Sequence, residues 1–459
     1  MSTTTTYAGA TLITMDAQRS IVEGDLRIEG GRITGVGGPF RDRPATGGVR
    51  VDCRGTYIVP GFIQTHVHLC QALFRGLAEE TDLLDWLKDK IWPLEAAHDA
   101  ESLGYSARIA LIEAIRNGTT TMLDMGTVRH TDAIAEAASE SGIRVSLGKA
   151  LMDTGEGVPE HLREPTLAAL TEAEALIRRW HGTSEGRISA NLSPRFILSC
   201  TRDLWLGVRR LSEQYDLPVH THINESPGEI SAIERVVGTS AVSYFDALGI
   251  LNERFVGAHG VWLTDLERRL LAERGARVTH CPTSNFKLAS GACDVRALRD
   301  AGVVVGLGAD GAPCNNRIDP FAEMKLAGLV SRYLRHSHAL SAEEVVALAT
   351  IEGARTLRLD DTIGSLEVGK AADFVVVEAS GAAESPMSGT DPYTALVYQT
   401  THAAVRTVVC NGQVVCDEGR VRAWDEESIV EGAEAARREV VERAGLTSLL
   451  APAMIRAFR

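Results

Sequence analysis

Pro60-Gly61-Phe62-Ile63-Gln64-Thr65-His66-Val67-His68 is the stretch on which the fold turns. Its apolar and β-branched run reads as a buried strand. The i, i+2 spacing of His66 and His68 places both imidazoles on one face, with Val67 on the other. Three more segments at predicted strand ends offer partners: His220-Thr221-His222-Ile223-Asn224-Glu225, Ala258-His259 and Gly308-Ala309-Asp310. Three imidazoles and one carboxylate suit zinc or iron and leave a position open for water. Each piece is ambiguous alone. A single His-x-His is commonly an accident of surface or core, Asp310 alone would serve as a helix cap, and His220 rivals His222 because the two share a strand face.

Working outward, the middle of the chain alternates strand and helix. Eight strand candidates run Phe62–His68, Thr119–Met125, Arg144–Leu151, Arg187–Phe196, Pro218–Glu225, Phe255–Val261, Arg277–Pro282 and Val303–Asp310, with helical stretches such as Asp99–Asn117 and Leu204–Tyr215 between them. Repeated βα units imply a parallel sheet, and eight of them an α/β fold of the (β/α)8 TIM-barrel type. An open doubly wound sheet is the alternative, but it gathers its ligands at one crevice. Here chemically useful residues sit at the ends of most strands.

The two ends of the chain have a different texture. Short strands and turns fill residues 1–59, with a hairpin signal at Gly30-Gly31. The same texture returns around Ala372–Val377 and Val405–Val415, where Asn411-Gly412 is a strong hairpin turn. The expected organisation is a small β-sandwich built from 1–59 and 366–425, a barrel over 60–365, and a C-terminal helical segment over 426–459. Within that segment Glu427–Ala444 reads as a charged amphipathic helix that covers the barrel or meets a second subunit.

A net charge of −14, from 61 acidic and 47 basic residues, argues against nucleic acid as a partner. No apolar run is long enough for a membrane span, and Met1–Thr6 lacks the blocks of a signal peptide and reads as a frayed terminus. The eight cysteines are scattered without a C-x-x-C pair and read as reduced thiols, so a cytoplasmic location is expected.

These motifs resemble the amidohydrolase superfamily over nearly the whole chain. The first-strand signature is joined by Gly364-Ser365-Leu366-Glu367-Val368-Gly369-Lys370-Ala371-Ala372-Asp373, which is similar to the family's return segment. His222-x-x-Glu225, Cys281-Pro282-x-Ser284-Asn285 and Gly308-Ala309-Asp310-Gly311 resemble the cytosine/guanine/adenosine-type aminohydrolase branch. The resemblance implies that His66, His68, His222 and Asp310 hold one divalent metal ion, zinc, with iron as the alternative. Asp310 would also take a proton from water, Glu225 would carry one to a ring nitrogen, and His259 would contact the water or the developing oxyanion. His220 is then a supporting residue. Binuclear relatives use a carboxylated lysine at the end of the fourth strand. Ser193-Pro194-Arg195-Phe196 offers none, and Lys149 lies on the third.

The implied reaction releases ammonia from an amino-substituted purine, pterin or related ring, a small-molecule heterocycle. Gln71, Arg195 and Phe196 are similar to the residues of guanine deaminases that read an oxo-purine, and they favour a guanine-like substrate; His280 is expected to touch substrate as well. The loop Phe74-Arg75-Gly76-Leu77-Ala78-Glu79-Glu80, with Trp86 and Ile91-Trp92-Pro93-Leu94-Glu95, instead resembles methylthioadenosine/S-adenosylhomocysteine deaminases and triazine hydrolases. Arg195 has a plainer reading as half of an ion pair closing the barrel mouth, and Trp86 reads either as a stacking surface for a purine or as packing of a lid helix. A triazine chlorohydrolase and a catalytically dead amidohydrolase fold complete the alternatives. A homo-oligomer is a family expectation.

Overall fold

The computed structural model describes residues 4–40, 48–79, 81–378, 381 and 384–450. Five strands come first: β1 (Thr5–Ile13), β2 (Ile21–Glu29), β3 (Arg32–Val36), β4 (Val49–Asp52) and β5 (Thr56–Pro60). Parallel strands follow: β6 (Phe62–His68), β7 (Thr119–Asp124), β8 (Arg144–Leu151), β9 (Ile188–Pro194), β10 (Val219–Ile223), β11 (Phe255–His259), β12 (Arg277–His280), β13 (Val304–Leu307) and β14 (Asp310–Gly311). The chain closes with β15 (Phe374–Glu378), β16 (Val405–Cys410), β17 (Gln413–Asp417) and β18 (Arg420–Val421).

Strands β6 to β13 are hydrogen-bonded in sequence order, and β14 pairs with β6 through Asp310↔Val67 and Gly311↔His68. Only Gly308-Ala309 separates β13 from β14. The two edges of the sheet are therefore one stretch of chain, and the sheet curls round on itself in the manner of a TIM-like barrel. Thr65 Oγ1 donates to Leu307 O at 3.1 Å across this seam. Helices cover the outside between successive strands. Ala100–Arg116 is one, fixed at its start by a capping box between Asp99 and Ser102.

Several strands end earlier than the apolar pattern implies. The fifth, sixth and seventh stop at Ile223, His259 and His280, and the eighth breaks in two. Asn224, His259 and Asp310 take left-handed backbone angles, with φ of 47°, 76° and 64°. Such angles turn the chain out of the ladder, and at the seventh strand Pro282 opens a short helix instead.

Where a small β-sandwich was expected, strands from the two chain ends hydrogen-bond into one nine-stranded sheet, ordered β18-β17-β16-β15-β5-β1-β2-β3 with β4 on β1. Alternation serves two cores: Phe374 and Val376 pack with Leu12, Leu26 and Ile58, while Val375 and Val377 join the main core. Thr5 and Thr6, read as part of a frayed terminus, instead pair with Ile28 and Arg27. Met1–Thr3 lie outside the described residues, as does Glu80 of the loop after β6. At the other hairpin, Asn411 and Gly412 both have positive φ, 49° and 74°, as a two-residue turn requires. Helix Glu426–Arg443 lays Ala433, Ala436, Val440 and Val441 against Leu73, Phe74 and Leu94, so it covers the barrel. Among the described residues no helix is long and apolar enough to cross a membrane.

A buried ion pair couples the two sheets. Arg144 on β8 donates to Asp373 at 2.6 Å, and Asp373 also accepts from the Asn411 backbone at 2.7 Å. Removing one partner strands the other charge. We therefore expect Arg144→Met to lose about 3–5 kcal/mol of stability in urea unfolding, with Arg144→Met/Asp373→Leu recovering part of it.

Candidate metal centre

His66, His68, His222 and Asp310 each present a ligand atom, and these atoms lie within 4.8 Å of one another. They arrive from the C-terminal ends of β6, β10 and the β13–β14 break. His66 Nε2 and His68 Nε2 stand 3.1 and 3.4 Å from Asp310 Oδ1. Neighbours fix the rings. His222 Nδ1 donates to Arg195 O at 2.7 Å, which leaves Nε2 for the cluster. His66 Nδ1 meets His220 Nε2 at 2.8 Å, so His220 stands behind a ligand rather than among them. Ser284 Oγ donates to the second Asp310 oxygen at 2.6 Å.

The electrostatics suit a cation. Burial pushes His66, His68 and His222 below the usual imidazole range, so they stay neutral. Burial alone would raise Asp310, but His66, His259 and His68 hold it well below the carboxylate range. Three neutral imidazoles around one ionised carboxylate, all out of water, form a donor set that a divalent metal satisfies. A second trio, His68, Cys70 and Glu95, is equally close, but Arg195 and Gln71 occupy Glu95 and burial drives the Cys70 thiol far up.

Beside the cluster lies a pocket lined by Asp310, Glu225, Glu229, His259, Arg195 and Gln71, and on its apolar side by Leu83, Trp86, Leu87, Phe196 and Leu288. Glu225 Oε2 is 3.5 Å from His259 Nε2, which is 3.9 Å from Asp310 Oδ2. Burial raises the Glu225 carboxyl to about 7, so its acid form is populated near neutrality. His259 resists burial because Glu225 and Asp310 push its pKa up. Its Nδ1 is anchored on Asn285 Oδ1 at 2.9 Å, and its strained backbone aims the ring inward.

Most residues singled out from the sequence meet here. His280 does not: it is buried at the end of β12 with both ring nitrogens unpartnered, and it stays out of the pocket lining. Trp86 lines the pocket, but its indole N–H is spent on Ala78 O at 2.9 Å. Arg195 is closed onto Glu95 at 2.5 and 3.1 Å, and Gln71 Nε2 donates to the same carboxylate at 2.7 Å. Gly311 permits this crowding, since a Cβ there would lie 1.9 Å from Gln71 Oε1. Glu95 is the residue sequence reasoning missed. Its signal was a lone carboxylate in an apolar run. Glu229, one helical turn past Glu225, was missed as well; it accepts from the Glu225 backbone at 2.7 Å. Lys149 is buried on β8, with its amine 2.9 and 3.1 Å from Glu164 and Glu172, away from the cluster.

The sequence profile of the amidohydrolase family matches residues 57–415. A 5'-deoxyadenosine deaminase of Methanothermobacter thermautotrophicus is 37% identical over 92% of this chain and 95% of its own. A 5-methylthioadenosine/S-adenosylhomocysteine deaminase of Desulforudis audaxviator is 36% identical over 91% and 95%. The crystal structure of an adenosine deaminase from Xanthomonas campestris with bound zinc superposes with a TM-score of 0.87 at 27% identity, covering 95% of this chain and 98% of that one.

The cluster's two layers separate in a metal-binding assay. Asp310→Asn and His68→Ala are expected to abolish loading measured by elemental analysis. His220→Ala should weaken affinity by about 10–100-fold yet reach the same stoichiometry at saturating metal.

Proposed function

This chain belongs to the amidohydrolase family, and on that footing we propose that it is a metal-dependent deaminase of adenosine-type nucleosides with an apolar 5' substituent. The observation that carries the reaction type is the Glu225–His259–Asp310 row along one wall of the pocket, at 3.5 and 3.9 Å spacings beside the ligand cluster. His66, His68, His222 and Asp310 would hold one divalent ion, zinc by analogy with the Xanthomonas enzyme. When bound, such an ion acidifies water and so supplies a nucleophile near neutral pH.

The chain's own groups do the rest. Asp310 takes a proton from the attacking water. Glu225, protonated through burial, gives its proton to the ring nitrogen beside the amino-bearing carbon, which makes that carbon electrophilic. His259 Nε2 faces the position where negative charge develops on oxygen. Asp310 passes its proton to the amino group, which leaves as ammonia, while the added hydroxyl returns a proton to Glu225 and the ring keeps a carbonyl. Leu83, Trp86, Leu87, Phe196 and Leu288 exclude water from one side of the pocket.

Substrate class rests on two supports. The full-length relatives are named for 5'-deoxy- and 5'-methylthioadenosine-type substrates. The groups a guanine-like reading requires, Arg195 and Gln71, are already held by Glu95. A guanidinium whose two terminal nitrogens both face a buried carboxylate is oriented by that pair, so its place in the pocket is explained without a ring carbonyl. The curled sheet is read here as the (β/α)8 barrel of residues 60–365, and the sheet of the chain ends as the small β-sandwich.

Ammonia release from 5'-deoxyadenosine, methylthioadenosine, adenosine and guanine is the direct test. The 5'-deoxy and 5'-thio nucleosides should lead in kcat/KM, and a preference for guanine would sink the assignment. Glu225→Gln should cost about 10²–10⁴ in rate at unchanged metal content. Because the acid form of Glu225 is the donor, wild-type kcat/KM should decline as pH rises through about 7.

A further inference from the structure

We propose that the end of the barrel sheet opposite the metal centre carries a binding site for the phosphoryl group of a small phosphate monoester. A cavity of about 380 Å³ opens there, between the N-terminal ends of β8 and β9, the residues leading into β10, and the segment Leu357–Ile363. That size falls within the range of small-molecule sites. None of its lining residues belongs to the pocket beside the metal cluster.

The charge of this cavity is the reverse of the molecule's. The chain carries a net −14, yet Arg144, Arg187 and Arg358 line the cavity against one carboxylate, Asp216. Asp216 is already engaged by Arg358 at 2.9 and 3.1 Å and by Arg254 at 3.6 Å. Arg144 is held by Asp373. Arg187 has no such partner: among the described residues it makes no ion pair, and its buried Nη1 has no hydrogen-bond partner. Arg277, close to Arg358, shares this condition, with Nε and Nη1 buried and unpartnered. Burial, and then the charge of Arg358, holds its guanidinium below its ordinary range. A guanidinium cannot shed its proton, so an unpaired one at a cavity wall favours an anion there.

The neutral donors and the apolar wall narrow the ligand. Thr121 Oγ1 lines the cavity, buried and without a partner, and Ser189 stands on the same side. The unpaired guanidinium of Arg187, with the paired Arg144 and Arg358 beside it and hydroxyls at hand, matches the many acceptors and the charge of about −1.5 to −2 of a phosphate monoester at pH 7. Leu217, Leu357 and Ile363 offer surface to its organic part.

Calorimetry on the metal-loaded full chain, with inorganic phosphate and with glycerol 3-phosphate at constant ionic strength, tests the site. Saturable binding of one molecule per chain is expected, with Tm rising about 3 °C at a hundredfold excess over Kd. Arg187→Gln should bind at least tenfold more weakly while keeping the phosphate-free Tm and far-UV spectrum of the wild type, with Arg187→Lys between the two. Absence of saturable binding to the wild type, or undiminished binding in Arg187→Gln, overturns the proposal.

Discussion

The pairing of Asp310 and Gly311 with Val67 and His68 is the contact on which everything else depends. It joins the last barrel strand to the first, and so brings a carboxylate from one end of the sheet against two imidazoles from the other. Open the seam and the ligand set disperses. Local strain is part of the device, because Asp310 turns out of the ladder at φ 64° and presents its side chain to the cluster rather than to the next layer of core. Ser284 and Gly311 N–H then hold its oxygens in place.

Much of this was legible in the sequence because period-2 patterning and strand-end histidines are local signals. The strand starts at Phe62, Thr119, Arg144, Phe255 and Arg277 were read correctly from apolar runs and turn residues. The ends at His68 and Leu151 were read correctly too, but those of the fifth, sixth and eighth strands were not, since Asn224, His259 and Asp310 leave the sheet through backbone angles that no hydrophobic pattern encodes. The union of the two chain ends followed from shared texture, but the placing of β15 beside β5 is set by contacts more than three hundred residues apart in sequence. Among the site residues, Glu95 escaped notice because its importance lies in what it touches. A carboxylate in the short helix Trp92–Ala96 is unremarked until a distant arginine is found closed upon it.

That ion pair also shows how a buried charge organises its neighbours. Arg195 carries a fixed charge into a fully buried position, where only a matching carboxylate makes it tolerable. Glu95 meets the need and draws Gln71 in as well. Arg195 and Gln71 are thus tied to Glu95 on one side of the pocket, facing an apolar side made by Leu83, Trp86, Leu87, Phe196 and Leu288.

The interleaving of the chain ends has a consequence for how the molecule comes into being. Strands β1 to β5 leave a synthesising ribosome early, yet β5 finds its partner β15 only when residues 374–378 emerge. The seam between β6 and β14 likewise waits for residue 310. Both closures pair segments of very high sequence separation, the kind of contact that slows folding and leaves strand edges uncovered meanwhile. A truncated chain ending before that point would retain helices and a partial sheet but no ligand cluster. Catalytic competence therefore arrives late and all at once, and a half-made copy carries exposed edges without any activity in return.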